Sequence, residues 1–303
     1  MIAAIAARPR LAALLGAMSI AFSGILYREA AVSPSTGTLF RCLFGLPILV
    51  AVAAGEHRRS GPMPRSTVRV AILAGVFFAG DLLFWHTAIE YVGAGLATVL
   101  GNLQVLVVAL VAWLVLGERP SRAILAALPI VLLGVVLISG AVVGQPYGAD
   151  PTLGVVLGVL TAFCYAGYLL LIRRGGRDLD RAAGPVAIAT ASTAVVAATL
   201  GALLGGLELT PGLPSLAWLA LLGLTSQGIG YLLITLALPR LPAVVTSMIL
   251  LSQPVVTVIL AMLILGEAPS PAQLAGVALV VGGIAVATVP LSRMRPSLGR
   301  VAA

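Results

Sequence analysis

The chain reads Leu116-Gly117-Glu118-Arg119-Pro120-Ser121 near its middle and Leu265-Gly266-Glu267-Ala268-Pro269-Ser270 near its end, 149 residues later. The same offset superposes Gln104 on Gln253 and Gly134 on Gly283, so the sequence is two copies of one pattern. Apolar windows, broken at charges and at Pro and Gly clusters, predict five helices in each copy. They lie near 11–28, 35–54, 68–90, 93–116 and 121–140, then near 152–173, 182–205, 215–238, 241–265 and 270–290. Because five is odd, the second copy enters a bilayer from the side opposite to the first, which makes an inverted-topology repeat.

Composition says what solvent these helices meet. Of 303 residues, 60% are apolar and 9% are charged, and the mean hydropathy is +1.13. A soluble domain carries about 25% charged residues, so a cytosolic enzyme, a nucleic-acid binder and a disordered chain are excluded together. At about 20 residues per crossing, ten crossings and their loops use nearly the whole chain. The expected fold is an all-α integral membrane protein of ten transmembrane helices in two inverted five-helix halves, residues 1–140 and 152–290, with a tail at 291–303. Cys42 and Cys164 sit in apolar runs and form no CxxC pair, so they are read as packing residues and not as a disulfide or metal site.

The net charge of +8 comes from arginines between apolar stretches, where they report topology. With the N-terminus inside, sixteen of the eighteen arginines fall on the inner side. Arg28 and Arg41 remain near the outer side, whose loops carry Glu90, Asp150, Glu208 and Glu267. Both termini are therefore expected in the cytoplasm, in the cytoplasmic membrane. Arg8 and Arg10 before an apolar run resemble a signal peptide, but the repeat needs this segment as a retained first helix.

Ten helices in two inverted halves, each with Leu-Gly-Glu-x-Pro closing its fourth helix, resemble the drug/metabolite transporter superfamily, EamA branch. Residues 12–139 and 152–289 look like its two repeats, and Arg41 matches an Arg often found in the second helix. Gln253-Pro254 is similar to the usual mid-helix Pro of the ninth helix, whereas the matching position in the fourth is Val105. Phe22-Ser23 stands where the family often has Trp. The resemblance implies a substrate pathway between helices one to four and six to nine, with five and ten peripheral, and export of small metabolites such as amino acids.

Polar residues at membrane depth are the candidate site. At 1.5 Å per residue Asp81 lies about 16 Å from either end of its span, where a carboxylate is costly unless it faces a wet cavity, pairs with a cation or is protonated. It is read as a substrate contact and proton-coupling group, or as a structural partner of Arg41. Arg41, about 9 Å below the outer surface, can hold a substrate carboxylate by a bidentate contact, snorkel outward or pair with Asp81. His86, at similar depth, is a second proton-coupling candidate, weighed against an interhelical hydrogen bond. Gln104, Gln227 and Gln253 project to the midplane from three helices, as substrate ligands or interhelical glue. Trp85 and Tyr231 are read as cavity walls able to stack on a substrate or meet its cation, with Tyr165 and Tyr168 nearby. Glu118 and Glu267, closing their helices, are read as structural, each able to meet the solvent boundary or a neighbouring helix N-terminus.

An intramembrane aspartyl protease needs a second aspartate at depth, and Asp150, Asp178 and Asp180 are all in loops. A serine protease would need a nucleophile elbow beside His86, and none is present; no P-loop supports ATP-driven transport. The expectation is a secondary transporter, not an enzyme, without cofactor or metal. Its partners are a small-molecule substrate, the lipid bilayer and protons, with nucleic acid excluded. The favoured cargo is an amino acid or related zwitterion; the alternatives are a proton-coupled exporter of lipophilic cations and a passive facilitator. The orientation is testable with reporter fusions: GFP at the C-terminus should fluoresce, and alkaline phosphatase should be active after residue 150 but silent after residue 60.

Overall fold

The computed structural model describes residues 8–116, 120–141, 146–175, 181, 183–237, 240–241 and 243–288. Glu118, in the first copy of the repeated motif, and the 291–303 tail lie outside them. The described residues form helices without any strand. In chain order these are α1 (Pro9–Ala30), α2 (Pro34–Ser60), α3 (Arg65–Val92), α4 (Ala94–Gly101 and Gln104–Leu116), α5 (Arg122–Ile138) and α6 (Pro151–Gly175). They continue with α7 (Ala183–Leu204), α8 (Leu213–Ala237), α9 (Ala243–Ile264) and α10 (Pro271–Thr288). Eight are long and apolar enough to cross a membrane; Arg122–Ile138 and Ile249–Ile264 are apolar but shorter. Leucines such as Leu114, Leu203 and Leu263 stand more than 70% exposed, an outer surface suited to lipid and not to water.

The repeated motif explains how the helices end and restart. Gly266 takes φ 66°, a left-handed conformation that stops α9. Pro follows, and then a serine caps the next helix. Ser121 Oγ accepts the Ile124 N–H at 3.3 Å to start α5, and Ser270 Oγ accepts the Gln273 N–H at 3.2 Å to start α10. Ser33 does the same for α2, taking the Thr36 N–H at 3.2 Å with Pro34 in the first helical position.

Packing joins the halves helix by helix. The main pairings are α3 with α6 and α1 with α8; α2 with α7; α4 with α9; α5 with α10; and α2 with α8 and α3 with α7. Exchanging the two halves leaves this set unchanged. The α2–α7 pair is tied at both ends. Glu56 accepts the Ala183 and Gly184 N–H groups at 2.8 and 2.9 Å, capping α7, and Arg181 donates to the Ser60, Gly61 and Pro62 carbonyls. At the other end Ser33 donates to the Gly206 carbonyl and Thr36 Oγ1 accepts the Glu208 N–H at 2.9 Å. Gly205 and Gly206 lie at the end of α7 in open space, whereas Gly201 is packed against Ser35 and Leu207.

α5 and α10 lie against each other through small residues. A methyl on Gly134 would come within 2.7 Å of the Gly276 carbonyl oxygen, and one on Gly276 within 2.6 Å of the Gly134 oxygen. Close backbone approach of this kind supplies the dispersion that holds helices together where no hydrophobic effect operates between them. Gly134→Leu should therefore destabilise the protein by about 1–3 kcal/mol, seen as a lower unfolding temperature in detergent. Gly282→Leu, at a position with nothing within 4 Å, should leave it unchanged.

Candidate functional site

The centre of the bundle is set by a glycine-rich stretch of α8. Gly223–Gly230 winds as a π-helix, the wider turn that exposes backbone and re-aims side chains. Glycine there lets α8 touch α2: a methyl on Gly223 would sit 2.7 Å from the Arg41 carbonyl oxygen, and one on Gly45 would sit 2.7 Å from Gln227 Cγ. This contact delivers Gln227 to Arg41. Arg41 Nε donates to Gln227 Oε1 at 3.1 Å, and Gln227 Nε2 donates to Thr190 Oγ1 at 3.0 Å. Thr190, on α7, is the position that the repeat offset superposes on Arg41. One amide thus bridges equivalent positions of the two halves.

Of the alternatives open to Arg41, outward snorkelling does not occur. Its side chain is 2% exposed, held inward by Gln227 and by Trp85, whose ring centroid lies 5.7 Å from Cζ. Its Nη1 is buried and has no hydrogen-bond partner. Asp81, one turn before Trp85 on α3, lies within electrostatic range of Arg41, yet no ion pair within 4.0 Å joins them. The direct Arg41–Asp81 pair weighed from the sequence is therefore not formed, because the guanidinium is drawn toward α8. Among the described residues Asp81 makes no hydrogen bond, and it retains 6% exposure.

Below Asp81 on α3, Phe78 gathers an aromatic group. Its ring stacks on Tyr168 at 4.5 Å and meets the edge of Tyr231 at 5.4 Å, while Tyr165 stacks on Tyr168 at 5.6 Å. All three tyrosines lie within electrostatic range of Asp81. His86 is fully buried: its Nδ1 is 2.9 Å from Thr38 Oγ1 and its ring stacks on Tyr27 at 3.9 Å. Tyr27 in turn donates to Glu90 Oε1 at 3.2 Å.

The structure thus brings together Arg41, Asp81, Trp85, Gln227 and Tyr231 from α2, α3 and α8. Gln104 on α4 has a buried Oε1 with no partner, and no hydrogen bond joins it to its repeat mate Gln253 on α9. Val105 does not keep α4 straight. The helix is interrupted at Asn102 and Leu103, where Leu103 N–H reaches Leu100 O at 3.0 Å and Asn102 Nδ2 takes the Thr98 carbonyl at 2.8 Å. The sequence reading passed over Thr190, Thr38, Tyr27 and Phe78. Thr190 had a signal, its superposition on Arg41, and Phe78 lies one turn from Asp81; Thr38 and Tyr27 had none.

Glu267 meets a helix N-terminus of the opposite half. Its carboxylate accepts the Ala94 N–H at 2.6 Å and the Gly95 N–H at 3.2 Å, capping α4. Burial raises this carboxyl above the ordinary glutamate range, and the two backbone donors oppose that rise. Gly93, at φ 86°, turns the chain into the cap; a methyl there would sit 2.8 Å from the carboxyl carbon.

A helical bundle, eight of whose helices are long and apolar enough to cross a membrane, with charged and amide groups buried at its centre, defines a polytopic membrane protein. The EamA-like transporter family model matches residues 8–140 and 152–289, and the chain belongs to that family of membrane transporters. It is similar to a Pseudomonas aeruginosa protein described as "Uncharacterized protein PA1977", 30% identical over 302 residues that cover 97% of each chain. A solved structure described as "Crystal structure of protein" shares the fold, with a TM-score of 0.64 at 24% identity, covering 93% of this chain and 98% of that one.

The Arg41–Gln227–Thr190 chain gives a direct test. Gln227→Leu removes the acceptor of a buried guanidinium and should cost about 1.5–3 kcal/mol, the worth of a hydrogen bond to a charged group. Thr190→Val removes only a neutral bond and should cost about 0.5–1.5 kcal/mol. Thermal unfolding of the purified variants in detergent reads both.

Proposed function

We propose that the protein is a secondary transporter that carries a small zwitterion, an amino acid or a related metabolite, outward across the cytoplasmic membrane by alternating access. The observation that carries this reading is a pair of opposite charges, Arg41 and Asp81, buried near one another without pairing. A carboxylate on the substrate would take the free Nη groups of Arg41, and its ammonium would take Asp81. Each charge would then gain the partner that the low-dielectric interior demands.

In this reading all ten helices cross the bilayer, the halves 1–140 and 152–290 are inverted, and both termini face the cytoplasm. The unchanged pairing under exchange of halves supports it, since two equivalent arrangements of the same contacts are what rocking around a central site requires. Gln227 positions Arg41, Trp85 and Tyr231 wall the substrate, Gln104 and Gln253 contribute amides, and Asp81 couples protons. His86, already held by Thr38 and Tyr27, is the lesser coupling group.

A second reading, exchange of protons for lipophilic cations, draws on the aromatic rings of Phe78, Tyr165, Tyr168 and Tyr231 beside Asp81. Uptake into proteoliposomes separates the two, using labelled amino acids and cationic dyes with and without an imposed pH gradient. The zwitterion reading expects amino-acid accumulation driven by the gradient, abolished in Arg41→Ala and lost as accumulation, though not as equilibration, in Asp81→Asn. Dye accumulation that needs Asp81 but not Arg41 would replace it with the cation reading. Equilibration indifferent to gradient and to Asp81→Asn would make the protein a facilitator.

A further inference from the structure

Trp85 has polar neighbours besides Arg41. A methyl built on Gly101 of α4 would lie 3.9 Å from Trp85 Cδ1 and 3.4 Å from Thr161 Cγ2, so the indole and Thr161 of α6 flank the same glycine. Gln104 follows Gly101 across the interruption in α4, where N–H groups bond three residues back, as Leu103 to Leu100 and Leu106 to Leu103. Residues three apart eclipse in such a turn, which sets Gln104 on the Gly101 side of the helix.

Thr161 is 2% exposed and its Oγ1 has no hydrogen-bond partner. That departs from the habit of threonines in this bundle: Thr87, Thr98, Thr199, Thr225 and Thr235 each donate to the carbonyl four residues back, at 2.7 or 2.8 Å. A buried hydroxyl that forgoes the local bond, on a helix packed against the one that carries a buried amide oxygen also without a partner, is an expensive arrangement for a purely structural core. Gln104 Oε1 accepts only, and a hydroxyl both donates and accepts.

From this juxtaposition we propose that Thr161 and Gln104 form a side-chain subsite, selecting zwitterions whose side chain carries a hydroxyl or carboxamide. The inference rests on the zwitterion reading above and adds specificity to it. The head group engages Arg41 and Asp81, Trp85 separates it from the subsite, and the side-chain donor reaches Gln104 Oε1 while Thr161 Oγ1 completes the match. An apolar isostere fits the same volume but leaves both protein groups unpaired, and sites of this construction discriminate strongly against the analogue lacking the polar group.

The test is proteoliposome uptake of matched pairs, threonine against valine and asparagine against leucine, by wild type, Thr161→Val, Thr161→Ser and Gln104→Leu. Wild type should favour the polar member of each pair at least tenfold in kcat/KM. Thr161→Val should lose about tenfold on threonine while valine uptake holds or rises, Thr161→Ser should retain the preference, and Gln104→Leu should erase the asparagine preference. Wild type that favours the apolar members, or transport in Thr161→Val with the threonine-to-valine ratio unchanged, overturns the subsite and leaves the zwitterion reading standing. Failure of every zwitterion in wild type, with cationic dyes transported, overturns both. The wild-type ratio decides the matter even if a variant does not fold.

Discussion

A guanidinium buried to 2% exposure among apolar helices must find hydrogen-bond acceptors within the protein, and much of the centre of this molecule follows from that demand. The nearest acceptor is the amide of Gln227, which reaches Arg41 only because α8 and α2 approach at backbone distance. That approach needs glycine at Gly45 and Gly223, and the π-helical turn that carries Gln227. Gln227 then spends its amide nitrogen on Thr190, so one side chain links α2, α7 and α8. What is left over, among the described residues, is free donor capacity on Arg41 and an aspartate on α3 whose oxygens accept no hydrogen bond.

The same economy of polar groups governs the helix ends. Backbone N–H groups at a helix start are orphaned, and in a membrane protein water is not always at hand to meet them. Carboxylates from other helices do so here, Glu56 on α7 and Glu267 on α4. Because Glu267 belongs to the second copy of the pattern and α4 to the first, this cap is also a tie between the halves. Gln273 plays a related part, donating to the Ile138 and Tyr147 carbonyls at 3.2 and 3.0 Å while accepting the Ser270 and Tyr147 N–H groups at 3.0 and 2.8 Å. It locks the end of α5 to the start of α10.

The proposed transport role joins these layers. Rigid pairs, α2 with α7 and α5 with α10, carry the fold, and the unpaired polar groups sit where α2, α3, α4, α6 and α8 converge. A substrate that satisfies Arg41, Asp81, Gln104 and Thr161 would convert several unmet hydrogen-bonding groups into met ones at once. That is the kind of differential interaction by which a ligand shifts a protein between conformations.

The helical membrane class, the approximate helix positions and the two-fold repetition were legible from sequence, because hydropathy windows and the Leu-Gly-Glu-x-Pro-Ser spacing depend only on neighbours along the chain. The place of Asp81 and Arg41 along their helices was equally legible, since 1.5 Å per residue needs no tertiary information. Which groups pair was not. Arg41 with Asp81 was a pairing that depth allowed, but depth fixes one coordinate of a side chain and leaves its direction around the helix axis open. Tertiary packing set that direction. Glycine contacts turned Gln227 toward Arg41, and Thr161 proved unusual only when its missing local bond could be compared with its fellow threonines. Sequence by itself determined a membrane transporter of two repeated halves; only the tertiary structure decided which of its buried polar groups find a hydrogen-bond partner, because that depends on contacts between helices distant in the chain.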